Sequence, residues 1–252
     1  MKNLAIVCDV MKNEFIKYGE AEENNIDCIF MEQHLHNTPD KMTLKLQEAI
    51  DSVDKSYDKI LLGYGLCSNG VVGLKSDTHE ILIPKVDDCI SLFLGSKKRY
   101  LEEFKKDPAT YYLCKGWIEY GGDPYRGYLV WTGQENKIPS GWIRQKEIYG
   151  RRYDSEMSKF LFIEMMKNYN QVTLIDNNDL EEIHKEYTKN MVDFMSKMLE
   201  KEITLKVLKG STGFLEKLVK CQYDEDNFLK FKPGQVILQE DFMPQLSKGR
   251  II

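Results

Sequence analysis

Cys8, Cys28, Cys67, Cys89, Cys114 and Cys221 are the residues of this chain most able to ligate a soft metal or act as nucleophiles. No Cys-x-x-Cys pair occurs, so the zinc-ribbon pattern is absent. Any shared thiolate site must be assembled by the fold from segments remote in the chain. Cys8 directly follows the apolar run Leu4-Ala5-Ile6-Val7. Cys67 lies in the turn Gly63 to Gly70, after Lys59-Ile60-Leu61-Leu62. Cys89 ends Val86-Asp87-Asp88-Cys89, after Ile81-Leu82-Ile83-Pro84, and Cys114 ends Tyr111-Tyr112-Leu113. Thiolates suit zinc and iron–sulfur clusters, and three of them around an open fourth position is an arrangement expected for chemistry. Cys28, inside an apolar run, and Cys221, near a helix end, read as packing residues. Each of the others has the same bland alternative, a small buried hydrophobe.

Other groups could work beside such a site. His36, in His34-Leu35-His36-Asn37-Thr38-Pro39, is a candidate fourth ligand or proton donor, or else a surface loop histidine. Asp87 and Asp88 are candidate acid–base groups, with a helix cap as the competing role for Asp88. Asp176, after Val172-Thr173-Leu174-Ile175, is a further carboxylate at a strand end or a cap for the next helix. In the turn, Gly63, Gly65, Ser68, Asn69 and Gly70 are candidates for cofactor binding. Glycines allow close backbone approach, and the turn amides could form an anion nest. The turn has neither GxGxxG nor Walker A spacing, and an ordinary tight turn is the alternative.

The elements that must position these residues follow from periodicity. Short continuous apolar runs predict strands at 4–7, 26–31, 59–63 and 81–84. Helical spacing predicts short helices at 11–18 and 42–53, and one from 88 to 106 broken near Gly95-Ser96. The segment 111–148 holds all three tryptophans and lacks helical period, so it reads as a loop-rich insertion with some short strands. Helices at 149–168, 179–201 and 213–220 and strands at 172–175 and 203–207 resume the rhythm. Pro233-Gly234 is a turn before the apolar Val236-Ile237-Leu238. Alternating strands and helices at short intervals predict a Rossmann-like α/β fold, its mostly parallel sheet flanked by helices on both faces. In open α/β sheets ligands bind beyond the carboxyl ends of the strands, where Cys8, Cys67, Cys89 and Cys114 fall. One domain over 1–252 is expected, with possible subdivisions 1–110, 111–148 and 149–252.

Composition narrows the class. With 252 residues, 42% of them hydrophobic and 30% charged, the chain can bury a sizeable core. A net charge of −5 and the lack of a basic stripe argue against nucleic acid as partner. No run of 18 apolar residues exists to span a membrane, and the N-terminus does not read as a signal peptide. A cytoplasmic protein with reduced thiols is therefore expected.

Several stretches together resemble the family known as domain of unknown function 1638. They are Ile6-Val7-Cys8-Asp9-Val10, Leu35 to Pro39, Leu62 to Gly70, Ile83 to Ile90 with Leu94-Gly95-Ser96, Gly116 to Glu119, and Phe228 to Gly234. The resemblance implies a ligand set of Cys8, Cys67 and Cys89. It also implies a setting in one-carbon metabolism, since members often come from anaerobes and are often encoded beside corrinoid-dependent methyltransferases. Two departures stand out. The family tends to have His-Asp-Cys where this chain has Asp87-Asp88-Cys89, and Thr-Pro-Gly-Trp at Cys114 to Trp117. Cys114 is thus outside the implied ligand set.

The leading expectation is an enzyme whose three cysteines hold a [4Fe–4S] cluster, the open iron binding a small-molecule substrate as Lewis acid or sulfur acceptor. A zinc ion that keeps a thiol ionised for methyl transfer is the first alternative. A non-catalytic partner or chaperone of a corrinoid protein or methyltransferase is the second. A cysteine nucleophile ranks below these, because no histidine is placed as its base.

Overall fold

The protein is described by a computed structural model covering residues 2–19, 25–142 and 152–243. It is an α/β protein with two sheets, in two compact units. One unit comprises the described residues up to Leu92 together with those from Thr212 onward; the other runs from Phe93 to Ser211. This grouping differs from the sequence subdivisions, because the C-terminal segment returns to the first unit.

The first unit is built on β1 (Asn3–Cys8), β2 (Ile26–Met31), β3 (Lys59–Gly63), β4 (Glu80–Pro84) and β8 (Phe228–Phe231). The strand order is β2-β1-β3-β4-β8, parallel except for the β4/β8 pair. β1 lies between two parallel neighbours and is buried along its whole length, which is why Leu4-Ala5-Ile6-Val7 is uninterrupted by polar residues. Helix α1 (Lys12–Gly19) follows β1 after one 3₁₀ turn, and α2 (Pro39–Asp51) precedes β3. Met42, Leu46 and Ile50 form the buried stripe of α2, one residue every turn. The path from β1 out to β2 and back past β1 to β3 reverses direction. Right-handed crossovers then place α1 and α2 on opposite faces of the sheet. Helix α9 (Gly213–Val219) packs beside α1 and against β3 and β4.

The last strand, Phe228–Phe231, precedes Pro233-Gly234 and pairs antiparallel along β4, Ile83 opposite Leu229 and Ile81 opposite Phe231. After the turn Val236 forms an isolated bridge with Lys75.

The second unit carries the parallel sheet β5 (Thr110–Leu113), β6 (Gln171–Asp176) and β7 (Thr204–Lys209), in that order. The helix expected over 88–106 is two, α3 (Cys89–Leu94) and α4 (Lys97–Lys106). Between them Gly95 has φ +83°, and the Ser96 hydroxyl caps α4 by accepting from the Arg99 amide at 3.1 Å. The segment expected to be loops and short strands holds two helices, α5 (Lys115–Tyr120) and α6 (Pro124–Trp131). Helix α6 is buried on most sides, so it lacks the one-sided stripe by which a surface helix is recognised. Helices α7 (Ser155–Met166) and α8 (Glu182–Leu199) complete the unit, and the expected helical residues 149–151 lie outside the described residues. The core gathers Leu113, Ile118, Leu129, Phe162, Met166, Val172, Leu174, Met191 and Met195.

Candidate functional site

In the first unit the reversal of strand order falls between β1 and β3, where the connections leave the sheet toward opposite faces. Such a divergence opens a crevice beyond the strand ends. Cys8 is the last residue of β1, and the turn containing Cys67 begins at the end of β3. The two strands are in register there, with Val7 opposite Gly63. Gly63 packs where a Cβ would come within 2.8 Å of the Val7 side chain.

The β3 turn is held against the segment that follows β4. The Leu66 amide donates to the Val86 carbonyl and the Cys67 amide to the Asp87 carbonyl, each at 2.9 Å. Gly65 sits in this contact; a Cβ there would lie 2.9 Å from the Asp88 nitrogen and the Val86 oxygen, both backbone atoms. Cys67, Ser68 and Asn69 then take φ values of 46°, 55° and 69°, three left-handed residues in succession without a glycine. Such a run is unfavourable for L-residues and persists only where its surroundings fix it. Gly70 closes the turn, its amide donating to the Cys67 carbonyl and its α-carbon against Met42, while Thr43 Oγ1 donates to the Gly70 carbonyl at 3.0 Å.

Burial dominates the chemistry of both thiols. Burial pushes the Cys8 thiol up to about 12; the Val10 amide, donating to its sulfur, opposes this, and Cys67 and Asp9 add to the rise. The Cys67 thiol is likewise pushed up to about 12 by burial, against a hydrogen bond from the Gly65 amide, with Asp88 adding to the rise. Both are therefore neutral thiols near pH 7, which disfavours a free cysteine nucleophile at these positions. A bound metal would displace their protons. Cys89 is the first residue of α3 and is partly buried.

Tyr64, in the turn after β3, is not among the residues that the sequence singled out. It is 3% exposed, and among the described residues its hydroxyl has no hydrogen-bond partner. Burial raises its pKa well above the ordinary phenol value, with Cys8, Cys67, Asp9 and Cys89 all adding to the rise. The available signal was Gly-Tyr-Gly at a strand end, an aromatic hydroxyl flanked by residues that permit close approach.

The remaining candidates separate. Asp88 caps α3, its Oδ1 accepting from the Ile90 and Ser91 amides at 3.0 and 3.3 Å. Asp87 is half-buried and supplies the carbonyl that fixes Cys67. His36 is exposed, and its Nδ1 donates to the Gln33 carbonyl at 2.7 Å within its own 3₁₀ turn. Cys114 and Asp176 belong to the other unit. Cys114 is buried at the N-cap of α5, and Asp176 accepts from the Asn178 amide at 2.8 Å in the turn after β6.

Among the described residues, Cys8, Cys67 and Cys89 do not bring their sulfurs mutually within 4.8 Å. The group that meets that spacing is Glu119, Glu181 and His184, in the second unit. Its hydrogen bonds mark it as a helix cap. The Glu181 amide donates to His184 Nδ1 at 3.0 Å, so in the neutral ring the proton sits on Nε2, which donates to Glu119 at 3.2 Å. That nitrogen has no lone pair left for a metal. Lys115 already supplies a cation, 2.9 Å from Glu181 and 3.8 Å from Glu119. Burial opposes the lysine's charge, but these carboxylates prevail and raise its pKa.

A family model described as a protein of unknown function, DUF1638, matches residues 30–219, about three quarters of the chain. The chain belongs to the DUF1638 family. The DUF1638 match includes Tyr64, Cys67 and Cys89; Cys8 lies before it. No curated protein and no solved structure matches the chain.

Proposed function

We propose that this DUF1638 protein is an iron–sulfur enzyme in which Cys8, Cys67 and Cys89 hold a [4Fe–4S] cluster, acting on a small molecule of methyl or one-carbon metabolism. The observation that carries the reading is the position of Cys8 at the end of β1 and of Cys67 in the turn after the adjacent β3, where the strand order reverses, each sulfur receiving a backbone N–H hydrogen bond. Such hydrogen bonds to sulfur are among the means by which proteins tune clusters. The donor set is soft, and Tyr64 adds a buried hydroxyl that lacks an acceptor. The cluster supplies, when bound, an iron with a position open to substrate, as Lewis acid or sulfur acceptor.

The chain's own residues do the rest. Gly65 and the Leu66 and Cys67 amides fix the turn against the segment after β4, so that Cys67 is carried on a backbone with little freedom. Asp88 caps the helix that begins at Cys89. Zinc is the second reading. A zinc ion holds its thiolates at about 2.3 Å, so three of them would lie closer together than 4.8 Å, which these cysteines do not. A four-iron group takes a wider set, and the three cysteines do not form a clear cluster of that kind among the described residues either. A non-catalytic role beside a corrinoid methyltransferase is the third, and it leaves the thiols as packing residues.

Anaerobic purification followed by metal and sulfide analysis separates the three. The cluster reading expects about four irons with matching sulfide per chain; one zinc supports the second reading. Colourless, metal-free protein that still captures the methyltransferase after Cys67→Ala supports the third.

A further inference from the structure

We propose that strand β7 pairs antiparallel with β7 of a second copy of this chain, joining their two sheets edge to edge. The proposal is independent of the cysteine reading. It starts from the side to which the strand turns its backbone. The Thr204 amide donates to the Asn170 carbonyl at 3.0 Å, and the Gly210 amide to the Asp176 carbonyl at 2.7 Å. Backbone groups alternate sides along a strand, so the even-numbered residues of β7 are turned to β6. Leu205, Val207 and Lys209 turn theirs to the outer edge, where among the described residues no strand pairs.

Proteins ordinarily blunt such an edge with proline, a bulge, a charge or a covering element. β7 contains no proline, and its register with β6 runs unbroken from Thr204 to Lys209. The charge of Lys206 is held by Glu103 at 2.5 Å. The Arg99 guanidinium covers the Lys209 carbonyl, which leaves the stretch around Leu205 and Val207. These two share a face with Val172 and Leu174, their partners on β6, which are buried in the core of the unit. Yet Leu205 is 41% exposed and Val207 58%. The core face of the sheet thus runs out to an open edge with its apolar residues uncovered.

Charge selects the occupant and its register. About a twofold axis at Val207, Val207 faces Val207, Leu205 faces Lys209 and Lys206 faces Leu208 of the second copy. Each lysine meets an apolar residue, and no lysine meets a lysine. With the axis at Lys206, the two Lys206 side chains would stand opposite each other, which like charge disfavours. In the Val207 register the outward-turned residues face one another, so their amides and carbonyls can exchange hydrogen bonds. A patch that completes itself in this way is the isologous contact of a twofold dimer.

The test is sedimentation equilibrium of the full-length protein through a dilution series, for the wild type and Val207→Lys. The exposed position accepts the lysine within the fold, which circular dichroism checks, while the twofold sets two like charges against each other. The wild type is expected to reach about twice the mass of one chain, and the variant to stay at the mass of one chain. Wild type that is monomeric at every concentration, or a variant as dimeric as wild type, overturns the proposal. Val207→Cys gives a second reading, and carries the test alone where Val207→Lys fails to fold. Residues opposite each other in a hydrogen-bonded antiparallel pair have Cα atoms about 5.5 Å apart, within reach of a disulfide. Mild oxidation is expected to yield a peptide linked from position 207 to position 207 in mass spectrometry. A dimer without that link overturns the pairing.

Discussion

Two buried tyrosines, one in each unit, define the contrast between scaffold and site in this protein. Tyr187, on α8, donates to Asp123 Oδ2 at 2.7 Å. Asp123 in turn caps α6 by accepting from the Arg126 amide at 2.9 Å, with its other oxygen 4.0 Å from the Arg126 guanidinium. Arg126 is 1% exposed and donates to the carbonyls of Gly121, Trp142 and Ile118. Tyr64, in the first unit, is equally buried, and its hydroxyl has no hydrogen-bond partner among the described residues. A low-dielectric interior makes paired polar groups rigid and unpaired ones costly. The second unit ties Tyr187, Asp123 and Arg126 into one network, whereas the Tyr64 hydroxyl, like those of Ser91 and Ser158, stands outside any such network among the described residues.

The contrast predicts unequal costs. Arg126→Met should destabilise most, by about 3–5 kcal/mol, because it leaves the Asp123 carboxylate buried without its counter-charge; chemical denaturation checks this. Tyr187→Phe should cost about 1.5–3 kcal/mol in the same assay, by removing a donor from a buried carboxylate. The first unit should respond to alkali. The unfolded Cys8 thiol ionises near pH 9 while the folded one holds its proton up to about 12. The thiol's contribution is thus complete below pH 9 and lost as pH rises toward 12. In metal-free protein the loss is roughly 1.4 kcal/mol at pH 10, and Cys8→Ala should flatten that slope. The smallest effect belongs to Tyr64→Phe in metal-free protein. It should stabilise by about 1 kcal/mol, since a buried hydroxyl without a partner is removed and no hydrogen bond is lost. A cost as large as that of Tyr187→Phe would erase the contrast.

Much of the first unit was legible because parallel strands buried on both faces leave continuous apolar runs: 26–31 and 59–63 match β2 and β3 residue for residue. The break at Gly95-Ser96 was legible from the same residues that make it. Strand β8 was not, since Phe-Leu-Lys-Phe is too short to carry a period and its partner β4 is far away in sequence. Helix α6 was hidden by being buried on most sides. At the site, strand-end position pointed to the cysteines, of which Cys8 ends β1 and Cys67 follows the adjacent β3. It could not find Tyr64, whose importance comes from an absent partner, a property of packing rather than of residue type. His36, the histidine that residue type suggested, donates through Nδ1 to the Gln33 carbonyl of its own turn, which leaves Nε2 as the acceptor.

The central claim is that Cys8, Cys67 and Cys89 serve one bound group. Iron and sulfide stoichiometry, measured side by side on anaerobically purified wild type and folded Cys67→Ala, tests it most directly. The account predicts about four irons per wild-type chain and loss of most of that iron in the variant. Equal iron in both proteins, or none in the wild type, contradicts it.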